Sequence, residues 1–201
     1  MGRPPKFGRR DIAGAALRLV AARGPAAATM SAIAQELGAP TGSIYHRFAS
    51  RELLLAELWM EVVESFQGEL ATSLAEARDI DGAARAVRRM LGWVRAHPIE
   101  ARLLLLHRRE DFVPGDWPDA LVERAAALEP QMGSALRRFC KRALGDAGEP
   151  SLARARFALL DAPIGGVKRY VQAGKQPPPM LDELLERTLR AVLGPAQRGA
   201  R

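Results

Sequence analysis

One short segment of this chain, residues 29–48, combines hydrogen-bonding side chains with a pattern that predicts two short helices. The first helix begins after Thr29, which can cap it, and Gly38 can end it. Pro40 is well placed to start the second helix, in which Ile44 and Phe48 point inward. Two such helices joined by a glycine-containing turn form a helix-turn-helix, which fits the major groove of DNA. The apolar positions of the first helix are Met30, Ile33, Ala34 and Leu37.

The outward side of the second predicted helix offers groups that can recognise nucleic acid. Hydroxyl, imidazole and guanidinium groups bond to phosphate oxygens and to the edges of bases. Pairs of helices separated by glycine also occur in ordinary bundles, so this pattern alone leaves a purely structural helix pair open. The outward side chains are Thr41, Ser43, Tyr45, His46 and Arg47.

The distribution of charge favours the nucleic-acid interpretation. Residues 1–51 contain eight Lys or Arg and two acidic residues, so they carry +6 of the chain's formal charge of +7. A basic first quarter on a nearly neutral body is typical of proteins that bind phosphate. The alternative is a solvated basic face that only aids solubility. The basic residues are Arg3, Lys6, Arg9, Arg10, Arg18, Arg23, Arg47 and Arg51.

Residues 8–58 resemble the DNA-binding domain of the TetR family of bacterial transcriptional regulators. A first predicted helix spans residues 9–23 and ends in Gly24, and a second begins at residues 29–34. The block TGSIYHRF then follows, and several motifs in this order are more specific than a lone helix-turn-helix pattern. The block is completed by Ser50, Arg51, Glu52 and Leu53.

The resemblance implies an all-α fold with two functional domains. Residues 1–50 would form a DNA-binding domain of three helices, and residues 51–201 a larger helical domain for effector binding and dimerisation. A dimer also suits the chemistry, because one short recognition helix reads only a few base pairs and a two-fold pair reads a pseudo-palindrome.

Five residues are expected to hold the phosphate backbone. Thr29 and Ser31 lie at the N-terminus of a helix, where hydroxyls and backbone amides suit phosphate. The resemblance implies the same role for Tyr45, His46 and Arg51. These contacts would position the protein on DNA without reading its sequence.

Base contacts are expected from the tip of the second helix of the motif. Thr41, Gly42 and Ser43 are short enough for close approach and can meet base edges or a thymine methyl group. Many relatives have Lys at the position of Thr41, which leaves the bases read by this chain open. Arg47 could reach guanine or simply phosphate.

The segment Gly2-Arg3-Pro4-Pro5-Lys6 is a stiff basic arm of the kind that lies in an A·T-rich minor groove. It resembles the core of an AT-hook. A tail that only adds positive charge is the alternative.

Composition limits the remaining classes. No stretch approaches the roughly 20 apolar residues of a membrane span, and there is no signal sequence, so a cytoplasmic protein without a membrane partner is expected. A single Cys, Cys140, excludes an intramolecular disulfide and is expected to be a buried filler. The chain lacks HExxH, CxxC, GxGxxG and P-loop motifs, so we expect neither an enzyme nor a cofactor or metal site.

Helical patterns continue after the motif. Ser50 can cap a long helix that would bridge the two domains, and another helix is predicted to follow Asp81. Pro130 is expected to kink or split a long helix up to residue 143. Residues 152–171 would form a helix interrupted by Pro163 and the following glycine pair. A last helix is predicted over Met180 to Leu193.

Large apolar side chains of the second predicted domain suggest an effector pocket. The family has such a pocket among the middle helices, and an apolar cavity with a few polar groups is the usual form of a small-molecule site. The alternative is a solid core made of the same residues. The candidates are Trp59, Met90, Trp93, Phe112, Trp117, Met132 and Phe139.

The last two predicted helices carry more apolar surface than their own domain needs. In the TetR family these helices pair with those of a second subunit, and the resemblance implies the same homodimer here. The glycine pair would let two helices approach closely, or would simply allow a bend after Pro163. The candidate interface residues are Gly165, Gly166, Tyr170, Leu181, Leu184 and Leu185.

Together these features predict a homodimeric repressor that binds a pseudo-palindromic operator and is released by a small apolar effector. A ligand-independent protein that coats or bends DNA is the alternative. The two differ in the ratio of specific to non-specific affinity.

Overall fold

The computed structural model describes residues 7–113 and 117–194, and within these ranges the chain forms helices and no strand. The predicted all-α fold is therefore confirmed. The helices are α1 (Arg9–Arg23), α2 (Met30–Leu37), α3 (Thr41–Tyr45), α4 (Arg51–Glu76), α5 (Ile80–Ala96), α6 (Pro98–Leu106), α7 (Arg109–Phe112), α8 (Asp119–Ala143), α9 (Glu149–Arg156), α10 (Ala162–Gln172) and α11 (Met180–Leu193).

The helices form two compact units. One contains the described residues up to Glu64 together with Ile99–Ala126, and the other contains Ser65–Pro98 and the described residues from Ala127 onward. Helices α4 and α8 have residues in both. This grouping by contact differs from the functional division at residue 50, which remains a prediction.

The first unit is built on a small apolar core. Helix α1 packs on α2, and α2 packs on α3. Ile12, Ile33 and Ile44 are each at most 1% exposed, so all three helices contribute to one core. The predicted bounds of α1 are confirmed, because Gly24 ends the helix with a positive φ of 84°.

Hydrogen-bonding side chains fix where the long helices begin. The Ser50 hydroxyl accepts from the Leu53 amide at 3.0 Å, which confirms the predicted cap of α4. Helix α5 begins earlier than the sequence predicts. Its cap is Asp79, whose carboxylate accepts from the Gly82 amide at 2.7 Å, so Asp81 lies inside the first turn.

Two prolines are predicted to interrupt helices, and the structure shows where each helix continues or changes. Helix α8 does not split, although Pro130 inside it cannot donate a backbone hydrogen bond. The break predicted at Pro163 and the glycine pair instead falls just before them, in a π-helical segment over Phe157–Asp161. There the Ala162 amide donates to the Phe157 carbonyl, five residues earlier, so the turn is wider than in an α-helix. The next residue is Pro163, which has no backbone N–H to donate.

The second unit is held together by apolar and ionic contacts. Helix α11 packs on α5 and α10, with Leu185 and Leu189 at most 7% exposed. Arg95 of α5 forms a two-pronged ion pair with Asp182 of α11 at 2.6 and 3.0 Å. The same guanidinium donates to the carbonyls of Pro177 and Pro178, so it also fixes the loop before α11.

Cys140 is fully buried, as the sequence predicts. Burial raises the pKa of its thiol, because the thiolate would lose its hydration. No helix of the described residues is long and apolar enough to span a membrane.

Candidate nucleic-acid interface

The geometry of the two-helix motif follows directly from its local sequence. The Thr29 hydroxyl accepts from the Ala32 amide at 3.1 Å and caps α2. Gly38 ends α2 in the left-handed region at φ 61° and ψ 37°, a conformation in which glycine has no steric cost. Pro40 then caps the short α3 from an extended conformation. The predicted helix, turn and second helix are therefore confirmed.

Helix α3 separates an apolar inner side from a polar outer side. Ile44 and Phe48 are at most 2% exposed, which confirms them as core residues. On the other side Thr41, Gly42 and His46 are exposed, and Tyr45 is 53% exposed. The side chains of Thr41, Tyr45 and His46 have no hydrogen-bond partner among the described residues, so their polar groups are free for a ligand.

Gly42 leaves open space at the tip of α3. A Cβ atom placed there would have no described heavy atom within 4 Å outside its own helix backbone and neighbours. Nothing in the fold therefore requires glycine at this position. The space is where a DNA backbone or base edge could come close to the helix.

Ser43 and Arg47 are used within the motif itself. The Ser43 hydroxyl donates to the Pro40 carbonyl at 2.7 Å, and Arg47 donates to the Ser43 carbonyl at 3.1 Å. Both side chains are half-buried. To reach a base, Arg47 would have to break its hydrogen bond to the Ser43 carbonyl. Thr41 has no side-chain hydrogen bond to break among the residues that the structure describes.

Arg51 is engaged with the backbone of the same unit. Its Nε atom donates to the Ala28 carbonyl at 3.0 Å and its Nη2 atom to the Pro25 carbonyl at 2.6 Å. The guanidinium therefore fixes the turn that precedes Thr29 and the N-terminus of α2. This arrangement supports an indirect role in phosphate binding, through the position of that N-terminus.

Arg9 is a positioning residue that the sequence analysis did not single out. Its guanidinium donates to the Arg47 carbonyl and to the Glu57 carboxylate, and lies 4.1 Å from the centre of the Phe48 ring. Arg9 thus joins the start of α1 to the residues that follow α3 and to α4. Its partners are 38 to 48 residues away in the chain, so no local pattern marks it.

The positive charge around the motif is only partly neutralised. Arg18 pairs with Glu36 at 3.0 Å, while Arg10 and Arg23 are exposed and have no partner among the described residues. Ser31 is exposed at the start of α2, with its hydroxyl 3.1 Å from that of Thr29. The predicted basic arm at residues 2–6 lies outside the described residues.

The candidate effector residues divide between the two units. In the first, Trp59 and Phe112 have ring centres 4.9 Å apart, and Arg109 lies 5.1 Å from the ring centre of the buried Trp117. The second contains the remaining residues. Met90 and Trp93 line a cavity there, Met132 is half-buried and Phe139 is fully buried.

The candidate interface residues also differ in their surroundings. Leu181 and Leu185 are buried within the single chain, and a Cβ on Gly166 would lie 3.4 to 3.7 Å from them. By contrast, Leu184 is 46% exposed and Gly165 has open space around it. Tyr170 is half-buried under the Arg169 guanidinium, which donates to its hydroxyl at 2.5 Å.

A capped α2, a tight glycine turn and a short α3 with a polar outer side define a helix-turn-helix protein. Residues 12–58 match the profile of the bacterial regulatory proteins of the tetR family. The prediction of a TetR-family DNA-binding domain is therefore confirmed over these residues. A comparison with curated protein sequences gave no match.

Solved structures with the same fold cover nearly the whole chain. The fatty acid degradation regulator FadR of Bacillus halodurans is 18% identical, with a TM-score of 0.67 over 98% of this chain and 99% of that one. A TetR-family transcription regulator of Marinobacter aquaeolei VT8 is 18% identical, with a TM-score of 0.68 over 92% and 94%. The regulator FadR of Bacillus subtilis, solved with stearoyl-CoA, is 16% identical, with a TM-score of 0.68 over 93% and 98%.

Proposed function

We propose that the protein is a sequence-specific transcriptional repressor whose α3 enters the major groove of its operator. The observation that carries this proposal is the outer side of α3, where Thr41, Tyr45 and His46 present unbonded polar groups above a fully buried Ile44. The polar groups of these side chains make no hydrogen bond within the described part of the chain. Their burial against DNA would satisfy them.

The residues divide into those that position the protein and those that read bases. Tyr45 and His46, with the N-terminus of α2 at Thr29 and Ser31, hold phosphates. Thr41 contacts base edges, which come close to the helix in the open space at Gly42. Ser43 and Arg47 also contact bases if they exchange their internal hydrogen bonds for bonds to DNA.

The repressor acts as a homodimer, because one α3 of five residues cannot select an operator by itself. Exposed apolar side chains on α11 support an interface there. Met180 and Leu184 are 58% and 46% exposed and lie one turn apart, on one side of the helix. Two recognition helices spaced by about one DNA turn, roughly 34 Å, then read a pseudo-palindrome.

A small apolar effector releases the operator by favouring a dimer whose recognition helices no longer match the groove spacing. Helix α4 supports this coupling, since it has residues in both the first and the second unit. The Bacillus subtilis regulator of the same fold was solved with stearoyl-CoA, which makes acyl compounds a first class to screen.

The decisive experiment is selection of bound fragments from a random DNA pool by the purified full chain. We expect an enriched motif with two-fold symmetry. Enrichment of a single asymmetric half-site would contradict the dimer, and the absence of any motif would contradict sequence-specific binding.

The alternative function is that of a protein that coats or bends DNA. It is distinguished from a specific repressor by the ratio of specific to non-specific DNA affinity at one stated salt concentration. A specific regulator binds its site roughly 10³-fold or more tightly than random DNA. A coating protein would show similar affinities for both.

A further inference from the structure

A groove between the second half of α4 and α5 has the features of a built ligand site. Two cavities of the second unit share Ser73 and Arg89 as lining residues, so they form the two ends of one groove. The apolar end is lined by Leu70, Met90 and Trp93. The polar end adds Arg85 to the wall. We call this the α4–α5 groove.

Ser73 lies where the two ends meet and is the observation that points to a ligand. It is only 5% exposed, and among the described residues it is the one residue of the polar and charged types that is buried. Its hydroxyl has no hydrogen-bond partner in the part of the chain that the structure describes. The hydroxyl is open to the space of the groove, so a ligand there can accept its hydrogen bond.

The polar end carries one positive charge in excess. Arg89 pairs with Glu76 at 2.6 Å through Nη1, which leaves its other donors available. Arg85 is exposed and has no partner among the described residues. Two guanidinium groups and one hydroxyl donor therefore face a single paired carboxylate, an arrangement that favours a monoanion. Glu69 lines the apolar end together with Arg89, so the positive excess is confined to the polar end around Arg85.

The apolar end determines how large the nonpolar part of the ligand can be. The Trp93 ring contacts Phe66 edge-on at 5.0 Å between centres and stacks on His97 at 4.8 Å, so it forms a firm wall. The cavity volume is about 10 Å³ at this end and about 110 Å³ at the polar end. One water needs roughly 10–15 Å³, so the apolar end admits only the tip of an alkyl chain and most of a bound ligand lies at the polar end.

We propose that the α4–α5 groove binds a small amphipathic carboxylate. The carboxylate accepts hydrogen bonds from Arg85, Arg89 and the Ser73 hydroxyl, and the tip of a short alkyl tail reaches Met90 and Trp93. The identification of this ligand as the effector rests on the proposed function and makes the effector an amphipathic anion rather than a purely apolar molecule. The binding itself does not, because it is measured without DNA.

The test uses the full chain and hexanoate, with hexan-1-ol and hexylamine as matched probes, in calorimetry and ligand-observed NMR. Hexanoate is expected to bind about ten-fold or more tightly than either, because only the carboxylate bonds to both arginines. Tighter binding of the alcohol or the amine, or no binding of hexanoate, would overturn the proposal.

Variants locate the site. Arg85→Gln and Arg89→Gln should each weaken hexanoate about three- to ten-fold, since both guanidiniums are solvated at the rim. Arg88→Gln is the matched control: Arg88 lies on the same helix but pairs with Glu186 and does not line the groove. Equal losses in Arg88→Gln and Arg85→Gln would show a general charge effect and overturn the assignment.

Ser73→Ala gives a readout that is independent of charge. Removal of an unpaired hydroxyl should leave stability equal or higher, while hexanoate binding falls about three- to five-fold from one lost hydrogen bond. Unchanged binding in a folded Ser73→Ala protein would remove the hydroxyl from the site. A failed operator selection would leave these results standing, and a failed hexanoate titration would leave the DNA proposal standing.

Discussion

The two bonds of Arg51 predict that this residue acts on DNA binding through the fold. Its guanidinium holds the Pro25 and Ala28 carbonyls at 2.6 and 3.0 Å, and its side chain is 24% exposed. In Arg51→Ala both bonds are lost and the turn before Thr29 is released. The N-terminus of α2 then loses its fixed position.

The magnitude follows from the kind of bond. Hydrogen bonds from a charged group contribute about 1.5–3 kcal/mol each, and partial exposure and rehydration of two carbonyls reduce the sum to about 2 kcal/mol. Arg51→Lys keeps the charge but cannot bridge two carbonyls with a planar fork, so about 1 kcal/mol should be lost. Arg23→Ala, which removes an exposed unpaired arginine, should stay within about 0.5 kcal/mol of the wild type.

The assay combines urea unfolding of the full chain with DNA affinity at several salt concentrations. Arg51→Ala should weaken binding to every sequence with little change in the salt slope, because no phosphate contact is lost directly. A slope reduced by about 0.9, with wild-type stability, would show instead that Arg51 neutralises a phosphate and would refute this reasoning.

Four further predictions follow from single features of the structure. Gly42→Ala should keep or raise the free energy of unfolding in urea, by up to about 1 kcal/mol, and should weaken operator binding. Gly38→Ala, by contrast, should lower the free energy of unfolding by about 1 kcal/mol because the φ of Gly38 is positive. Equal operator affinity for Gly42→Ala and the wild type would show that DNA does not come close to α3. Tyr45→Phe should weaken binding to all DNA sequences alike without changing stability, and a sequence-dependent loss would show base reading instead. Leu184→Glu should shift sedimentation from dimer to monomer and reduce operator affinity, and a dimer that persists would place the interface elsewhere. Cys140 should react with a thiol reagent only on unfolding, since it is buried and its pKa is raised; fast reaction of the native protein would contradict this.

Local sequence patterns predicted much of the DNA-binding motif. The cap at Thr29, the turn at Gly38 and the burial of Ile44 depend on residues no more than a few positions apart, where helical spacing determines which groups meet. The bounds of α1 and α11 follow for the same reason. The π-helical segment before Pro163 was not predicted, because its wider hydrogen bonds leave no periodic signature in composition.

The candidate site in the second unit shows the limit of such patterns. Ser73 falls among the apolar positions of α4, with Phe66 and Leu70 before it, and a polar residue in such a stripe was a signal that the sequence analysis did not use. The two arginines of the groove could not be told from the other arginines of α5 by sequence alone. Their role depends on which side of α5 faces α4.

The sequence by itself determined the fold class, the recognition motif and its polar outer side, since these arise from contacts within one or two helical turns. Only the tertiary structure decided which arginines are free. Arg51 and Arg9 bond to groups 23 to 48 residues away, whereas Arg10 remains unpaired, although all three contribute equally to the formal charge. A charge count records how many guanidiniums exist, but folding determines which carbonyl or carboxylate each one meets.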